Sequence, residues 1–350
     1  MNDIVAQASP MIRSSFAPSL ARRLVPALYL IAPLAALCVV VVAFGGSRLE
    51  SSLTEALIYM VIVVGLSIFV GNSGIVSFGH VSFALIGAYA SAWQTCCGPL
   101  RAIYMPELPQ VLSTAQVPWP IAAVVAAVIA ALVALVLGAA LMRLAGTAAS
   151  IALLSVLFVI KTAYENWDGW TGGQSAIVGL PTYVNVWVAL GSAAAAIVVA
   201  TLYRKSSFGL RLRAVREDEP AARSAGVNAW FQKLVAFTLS GFVAGLGGVL
   251  YGHYLGTITV SMFWLDMTFL TLAMLVVGGI RSLTGAVVGT LFVTLVRQGI
   301  HTVERGVPFG DTILQAPEGS REIALAIVLL AMLIFRPQGL VGDAELGDKE

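Results

Sequence analysis

Charge is scarce in this chain. It carries 20 Lys and Arg and 18 Asp and Glu among 350 residues, 11% in all, where a soluble domain carries about 25%. Soluble enzyme folds are excluded on that ground. Catalytic signatures are missing too: no G-x-x-x-x-G-K-[ST] phosphate loop occurs, so the chain has no nucleotide site of that kind. Neither an HExxH helix nor a G-x-S-x-G elbow is present, and Gly245-Leu246-Gly247-Gly248 lies in a helical-length apolar run instead of following a strand. Cysteine is limited to Cys38, Cys96 and Cys97. Their spacing matches no metal site and an adjacent pair is poorly placed for an ordinary disulfide, so they read as packing residues. No catalytic residue, metal or cofactor is expected. A net charge of +2 gives no sign of nucleic-acid binding.

What the chain has in abundance is oil. It is 59% hydrophobic with a mean hydropathy of +0.91. Backbone in lipid must satisfy its own hydrogen bonds, so repeated apolar runs of about 20 residues imply an all-α polytopic membrane protein, a helical bundle in the lipid bilayer. About ten transmembrane helices are expected, near 25–44, 53–70, 78–96, 119–142, 147–164, 185–203, 234–254, 264–280, 285–301 and 322–335. Arg13, Arg22 and Arg23 ahead of Leu24–Phe44 mimic a signal peptide, but that run is too long for one and leads into a bundle. With both termini cytoplasmic, 14 of the Lys and Arg residues fall inside and 6 outside, as the positive-inside bias requires. The expected organisation is a tail over 1–24, a single transmembrane unit over 25–340 and a second tail over 341–350.

Seven of the basic residues crowd into residues 204–233: Arg204, Lys205, Arg211, Arg213, Arg216, Arg223 and Lys233, beside Glu217, Asp218 and Glu219. Such an island must project into water. Glu219-Pro220 reads as a helix start, with Pro220 at the first helical position and acidic residues at the positive end of the dipole. Ala221, Ala222 and Ala225 give a small face, Gly226 suits a left-handed terminator, and Asn228 suits a cap for the next helix. The stub is either a docking knob or a solvated loop that marks the inner side.

Two glycine-rich breaks, 71–79 and 278–285, interrupt apolar runs. At the first, Asn72, Ser73, Gly74, Ser77 and His80 place polar groups at membrane depth, which is tolerated where backbone is buried in protein or lines a cavity. They are candidates for a translocation path or gate, or else caps of a tight turn, with His80 a buried histidine. Gly241, Gly245, Gly248 and Gly252 recur at helical spacing and suit close helix packing. An ion-coupled transporter needs acidic residues buried in its spans; the candidates Glu55 and Asp266 sit near span ends, so energy is expected from outside the chain.

Several stretches resemble branched-chain amino-acid permeases of the LivM type. They are GNSGIVSFGHVSFALIGAYA (71–90), TGGQSAIVGLP (171–181), FGLRLRAVREDEPAARSAG (208–226), KLVAFTLSGFVAGLGG (233–248), VGGIRSLTGAVVG (277–289) and FRPQGL (335–340). Their order makes the likeness over about 53–340 far more specific than any single motif. Within it, Glu219, Ala221, Ala222 and Gly226 look like the EAA loop of ABC importer permeases. The resemblance implies a type II ABC-importer-like permease in a bacterial inner membrane. It assigns Glu217, Asp218, Glu219, Ala221, Ala222, Gly226 and Asn228 to a loop that docks on an ATPase. It also implies two cytoplasmic ATPase subunits, a second related permease chain in a heterodimer, and a periplasmic solute-binding protein. Branched-chain or other hydrophobic amino acids head the candidate solutes, with urea and short amides as the alternative. Two positions depart from the family pattern: Pro220 within the loop signature, and AGTAAS at 145–150 in place of a bulkier segment, which leaves the solute open.

Overall fold

A computed structural model describes residues 20–109, 117–144, 146–304, 307–309, 312–314, 317, 319–336, 338–342 and 345. The expected tails over 1–24 and 341–350 lie mostly outside these residues. Fourteen helices occur among the described residues. The long ones are α1 (Leu20–Phe44), α2 (Ser47–Ser73), α3 (His80–Thr95), α5 (Trp119–Leu141), α6 (Gly146–Glu165), α8 (Val186–Arg204), α11 (Ala229–Leu255), α12 (Leu265–Gly278), α13 (Leu283–Glu304) and α14 (Ser320–Phe335). Shorter ones are α4 (Arg101–Tyr104), α7 (Asp168–Thr171), α9 (Ser207–Glu217) and α10 (Glu219–Ser224). Two small antiparallel pairs complete the order. β1 (Ile177–Val178) joins β2 (Thr257–Ile258) with Ile177 opposite Ile258, and β3 (Val307–Phe309) joins β4 (Thr312–Leu314).

Eight of the ten expected spans coincide with helices long and apolar enough to cross a membrane. The two that do not are α3 and α14, each 16 residues, or about 24 Å against a hydrocarbon core of roughly 30 Å; α12 reaches crossing length only with the 3-10 turn Val260–Phe263 ahead of it, as Val260–Gly278. Helix α3 is enclosed by protein along nearly its whole length, so its apolar character serves internal packing.

The core is built around α11, which packs on α2, α3 and α5. From Leu53 onward α2 is buried on every side except at Glu55, as a helix apolar all round must be. Helix α5 shows the opposite pattern to a soluble protein. Its buried residues are Ala122, Ala123, Ala126, Ala127, Ala130, Ala134 and Gly138, while Ile121, Val124, Val128, Leu132 and Val136 face outward. Small residues inside and bulky ones outside suit a bundle bathed in lipid, where association rests on close packing. The α11 glycines complete the fit. Gly245 abuts Ala130 of α5, and a Cβ at Gly248 would lie 1.9 Å from the Ala84 carbonyl oxygen of α3.

Local signals set the helix ends. Gly74 closes α2 in the left-handed region, φ 73°, and Gly256 closes α11 at φ 70°. Asn185 caps α8 by accepting from the Trp187 and Val188 amides at 3.1 and 3.0 Å. Cys38 and Cys96 are core residues, and the sulfur of Cys97 lies against that of Cys96, so the adjacent pair meets despite its unfavourable spacing.

Gly248→Ala is expected to destabilise the bundle by about 1–3 kcal/mol through backbone overpacking, because its obstacle is a carbonyl. Gly191→Ala, which meets nothing within 4 Å, is expected to leave stability unchanged or slightly raised. Thermal unfolding of both variants in detergent checks the pair; equal melting points would contradict the packing assignment.

Candidate functional site

The island folds as a helix-turn-helix stub between α8 and α11. Ser206 caps α9, accepting from Gly209 N–H at 3.3 Å. Asp218 caps α10 by accepting the Ala221 amide at 2.9 Å. Pro220 is therefore the second residue of α10, not the first as expected, and its missing N–H falls where the helix has no internal acceptor. Gly226 ends the stub at φ 82°, and Asn228 Oδ1 accepts the Phe231 amide at 3.2 Å to start α11. One expectation needs correction. Ala222 does not share an outward face with Ala221 and Ala225: it is buried against Val215, Ala229 and Val227, and so anchors the stub. Ala221, Ser224, Ala225 and Gly226 are exposed, flanked by the exposed Asp218, Pro220, Arg223 and Asn228.

Two charged contacts tie the stub to the bundle. Glu219 accepts from Lys233 Nζ at 2.8 Å and also pairs with Arg223. The Lys233 side chain is only 6% exposed, so its ammonium depends on that carboxylate. Arg216 Nη1 donates to the Gly71 carbonyl at 2.6 Å, while its Nε and Nη2 reach Glu217. The Lys233 hydrogen bond, ahead of the Lys233 and Arg223 charges, holds Glu219 below the usual carboxylate range. The Arg216 hydrogen bond and charge do the same for Glu217.

Gly71 belongs to the first break. There Asn72 Nδ2 donates to Ile68 O at 2.9 Å and Ser73 Oγ accepts the Ile75 amide at 3.2 Å. His80 Nδ1 meets Ser77 Oγ, and the ring sits among Phe69, Phe83 and Phe237 at centroid distances of 5.6, 5.8 and 5.4 Å. Asn72 Oδ1 and His80 Nε2 are buried without hydrogen-bond partners among the described residues. Of the predicted residues here, Asn72, Ser73, Ser77 and His80 are all buried and Gly74 lies at the rim.

The second break, 279–282, comes to the same place. Arg204 Nη1 donates to Arg281 O at 2.6 Å and pairs with Glu345 at 2.9 Å; Glu345 in turn accepts the Leu283 amide at 2.7 Å. The terminal segment closes over the break, with Leu340 N–H on Val277 O at 2.8 Å and Val341 N–H on Gly278 O at 3.1 Å. A Cβ at Gly71 would lie 2.9 Å from Ile280 O, so the two breaks touch. Between them and the stub lies a cavity of about 540 Å³, lined by Ser73, Gly74, Arg216, Glu219, Lys233 and Arg281 among others. Sequence reading placed the island and the breaks separately and missed that Arg204 and Arg216 join them. Basic residues beside freed carbonyls were the available signal.

Many long apolar helices around an oily, small-residue core, with a capped polar stub at one end, define a multi-pass membrane protein of the permease kind. The chain matches the branched-chain amino acid transport system permease component family over residues 48–335 and belongs to it. Members are non-catalytic membrane subunits of importers that work with ATPase and binding-protein components. The chain is 26% identical over 322 residues to the high-affinity branched-chain amino acid transport system permease protein LivM of Escherichia coli, covering 82% of this chain and 68% of that one. A probable branched-chain amino acid transport permease protein LivM of Methanocaldococcus jannaschii is 23% identical over 162 residues, 46% of this chain and 47% of that one. The autoinducer 2 import system permease protein LsrC of Salmonella typhimurium is 28% identical over 182 residues, 47% of this chain and 49% of that one. No solved structure matches.

Two outcomes check the tethers. Arg216→Ala is expected to cost about 1.5–3 kcal/mol locally and to speed amide exchange across 71–79, with the helix interiors unaffected. Because the folded-state pKa of Glu219 is lowered, its contribution is complete above the ordinary value of 4.5 and is lost as pH falls through the lowered one. Exchange protection of 217–228 should therefore collapse on acidification in the wild type and be weak at all pH in Glu219→Gln.

Proposed function

We propose that this chain is the permease subunit of an ATP-driven importer in a bacterial inner membrane, carrying branched-chain amino acids. A single transmembrane unit over 25–340 would form the conduit, paired with a second, related permease chain. Two ATPases would dock on the stub, Glu217 to Asn228, and a periplasmic binding protein would deliver the solute. The observation that carries this reading is the stub itself. It is a short, rigidly capped helix that exposes the small residues Ala221, Ser224, Ala225 and Gly226 beside Pro220 and Arg223, so that another protein can approach the backbone closely on its small side. A loop serving only to mark sidedness needs neither the caps nor the buried Ala222 anchor.

Its two tethers, Arg216 to Gly71 and Glu219 to Lys233, support a coupling role, since a push on the stub reaches the first break directly. Residues Asn72, Ser73, Gly74, Ser77 and His80 then act at the inner end of the conduit, where buried unpaired atoms on Asn72 and His80 are available to rearrange. For the solute, the relatives named for branched-chain amino acids include one aligned over 82% of this chain, whereas the autoinducer 2 permease aligns over 47%.

Glu219→Lys and Gly226→Asp are expected to insert normally but to lose ATPase co-purification and at least 90% of ATP-dependent uptake. Retention of both by both variants overturns the docking assignment. Uptake into vesicles with a proton gradient and no ATP would instead support an ion-coupled carrier.

A further inference from the structure

Some 20 Å along α13 from the second break, a separate cleft of about 440 Å³ opens between α2, α11, α12, α13 and α14. That size suits a small-molecule site. Tyr59, Tyr251, Met267 and Leu329 give it an apolar wall, and two residues of opposite charge, Arg297 and Asp266, line the same space. Both acids singled out from the sequence are involved, since Arg297 Nη1 donates to Glu55 Oε1 at 3.0 Å and to the Tyr59 hydroxyl at 3.4 Å. The guanidinium also lies over the Tyr59 ring, 5.7 Å from its centroid. No Nε or Nη2 bond of Arg297 occurs among the described residues, so the edge that grips a carboxylate bidentately is available. Asp266, exposed at the second position of α12, has no hydrogen-bond or ion-pair partner among the described residues. Beyond the ion pair a second, polar cleft of about 280 Å³ is lined by Ser51, Ser52, Glu55, Gln298 and His301. The Glu55–Arg297 pair therefore stands between a wet vestibule and an amphipathic pocket.

We propose that this cleft binds the zwitterion of an apolar α-amino acid, with Arg297 on its carboxylate and Asp266 on its ammonium group. The side chain lies against Met267, Leu329 and the two tyrosine rings. The incoming carboxylate takes the open edge of Arg297 and competes with Glu55 for the guanidinium, so binding loosens the partition behind which the solute sits. A simple carboxylate engages Arg297 but not Asp266, and an uncharged sugar makes a charge-assisted bond with neither. The site deepens the function proposed above and rests on the solute being an amino acid.

The test uses the assembled complex in proteoliposomes, with labelled leucine as probe and two competitors: leucinamide, which lacks the carboxylate, and 4-methylpentanoate, which lacks the ammonium group. In the wild type leucine is expected to compete at least tenfold better than either. Arg297→Gln should bring leucine and leucinamide within twofold of each other. Asp266→Asn, at an exposed and unpartnered position, should do the same for leucine and 4-methylpentanoate, and decides the matter if Arg297→Gln does not fold. Glu55→Gln should raise leucine affinity severalfold, which a merely structural ion pair would not do. Unchanged discrimination in the variants, or no leucine binding by a wild type that imports leucine, overturns the site alone. A wild type that neither binds nor imports leucine overturns the site and the solute assignment together.

Discussion

Every backbone carbonyl that leaves its helix inside a membrane must find a donor, because lipid offers none. This chain breaks two helical runs, after α2 and after α12, and brings the breaks into contact. The freed groups are met by side chains and by the chain terminus. Arg216 reaches Gly71, Arg204 reaches the Arg281 carbonyl, and the Leu340 and Val341 amides cover Val277 and Gly278. The island's position follows from that need. Two of its arginines, Arg204 and Arg216, are fixed partners of a broken backbone, and the rigidity of the stub is a consequence.

The same medium governs the packing. With lipid as apolar as leucine, burying large side chains gains little between helices, so α5 turns alanines inward and valines and leucines outward. Contact distance then becomes the currency of stability, and Gly245 and Gly248 let α11 approach α3 and α5 to backbone range. Small polar groups fit into this core where a neighbouring backbone accepts them, as the buried Ser240 hydroxyl of α11 donates to Gly65 O of α2 at 2.6 Å. At the first break, buried polar atoms on Asn72 and His80 have no partner among the described residues.

Features with local causes were legible in the sequence. Asn228 as a cap, Gly226 as a left-handed terminator and the glycine series on α11 depend on residues within one or two turns. So did the existence of the two breaks. Pro220, anomalous against the family pattern, is explained one residue later than expected, at a helix position whose amide has no use. What local signals could not carry was pairing across the chain: Arg216 with Gly71, Glu219 with Lys233, Arg297 with Glu55. The inward turn of Ala222 belongs with these, since alanine is silent about which face it prefers. Hydropathy likewise could not show that α3 is wrapped in protein, because such a helix is as apolar as one wrapped in lipid.

Under the proposed function, these long-range pairs place the two ends of the molecule in one mechanical circuit. The stub is bonded to the end of α2 through Gly71 and to the start of α11 through Lys233. A displacement of the stub must then shift α2 relative to α11 or break a charge-assisted bond, a choice set by about 1.5–3 kcal/mol per bond. Helices α2 and α11 also supply Tyr59 and Tyr251 to the distant cleft, where the rings meet at 5.8 Å. Relative motion of the two helices therefore alters the apolar wall of the cleft and the seat of Arg297 over Tyr59. Helices this densely packed move as rigid bodies, so a shift at the island end is not absorbed along the way. The extended burial of α2, odd for a helix apolar enough to face lipid, is what makes it a transmitting element.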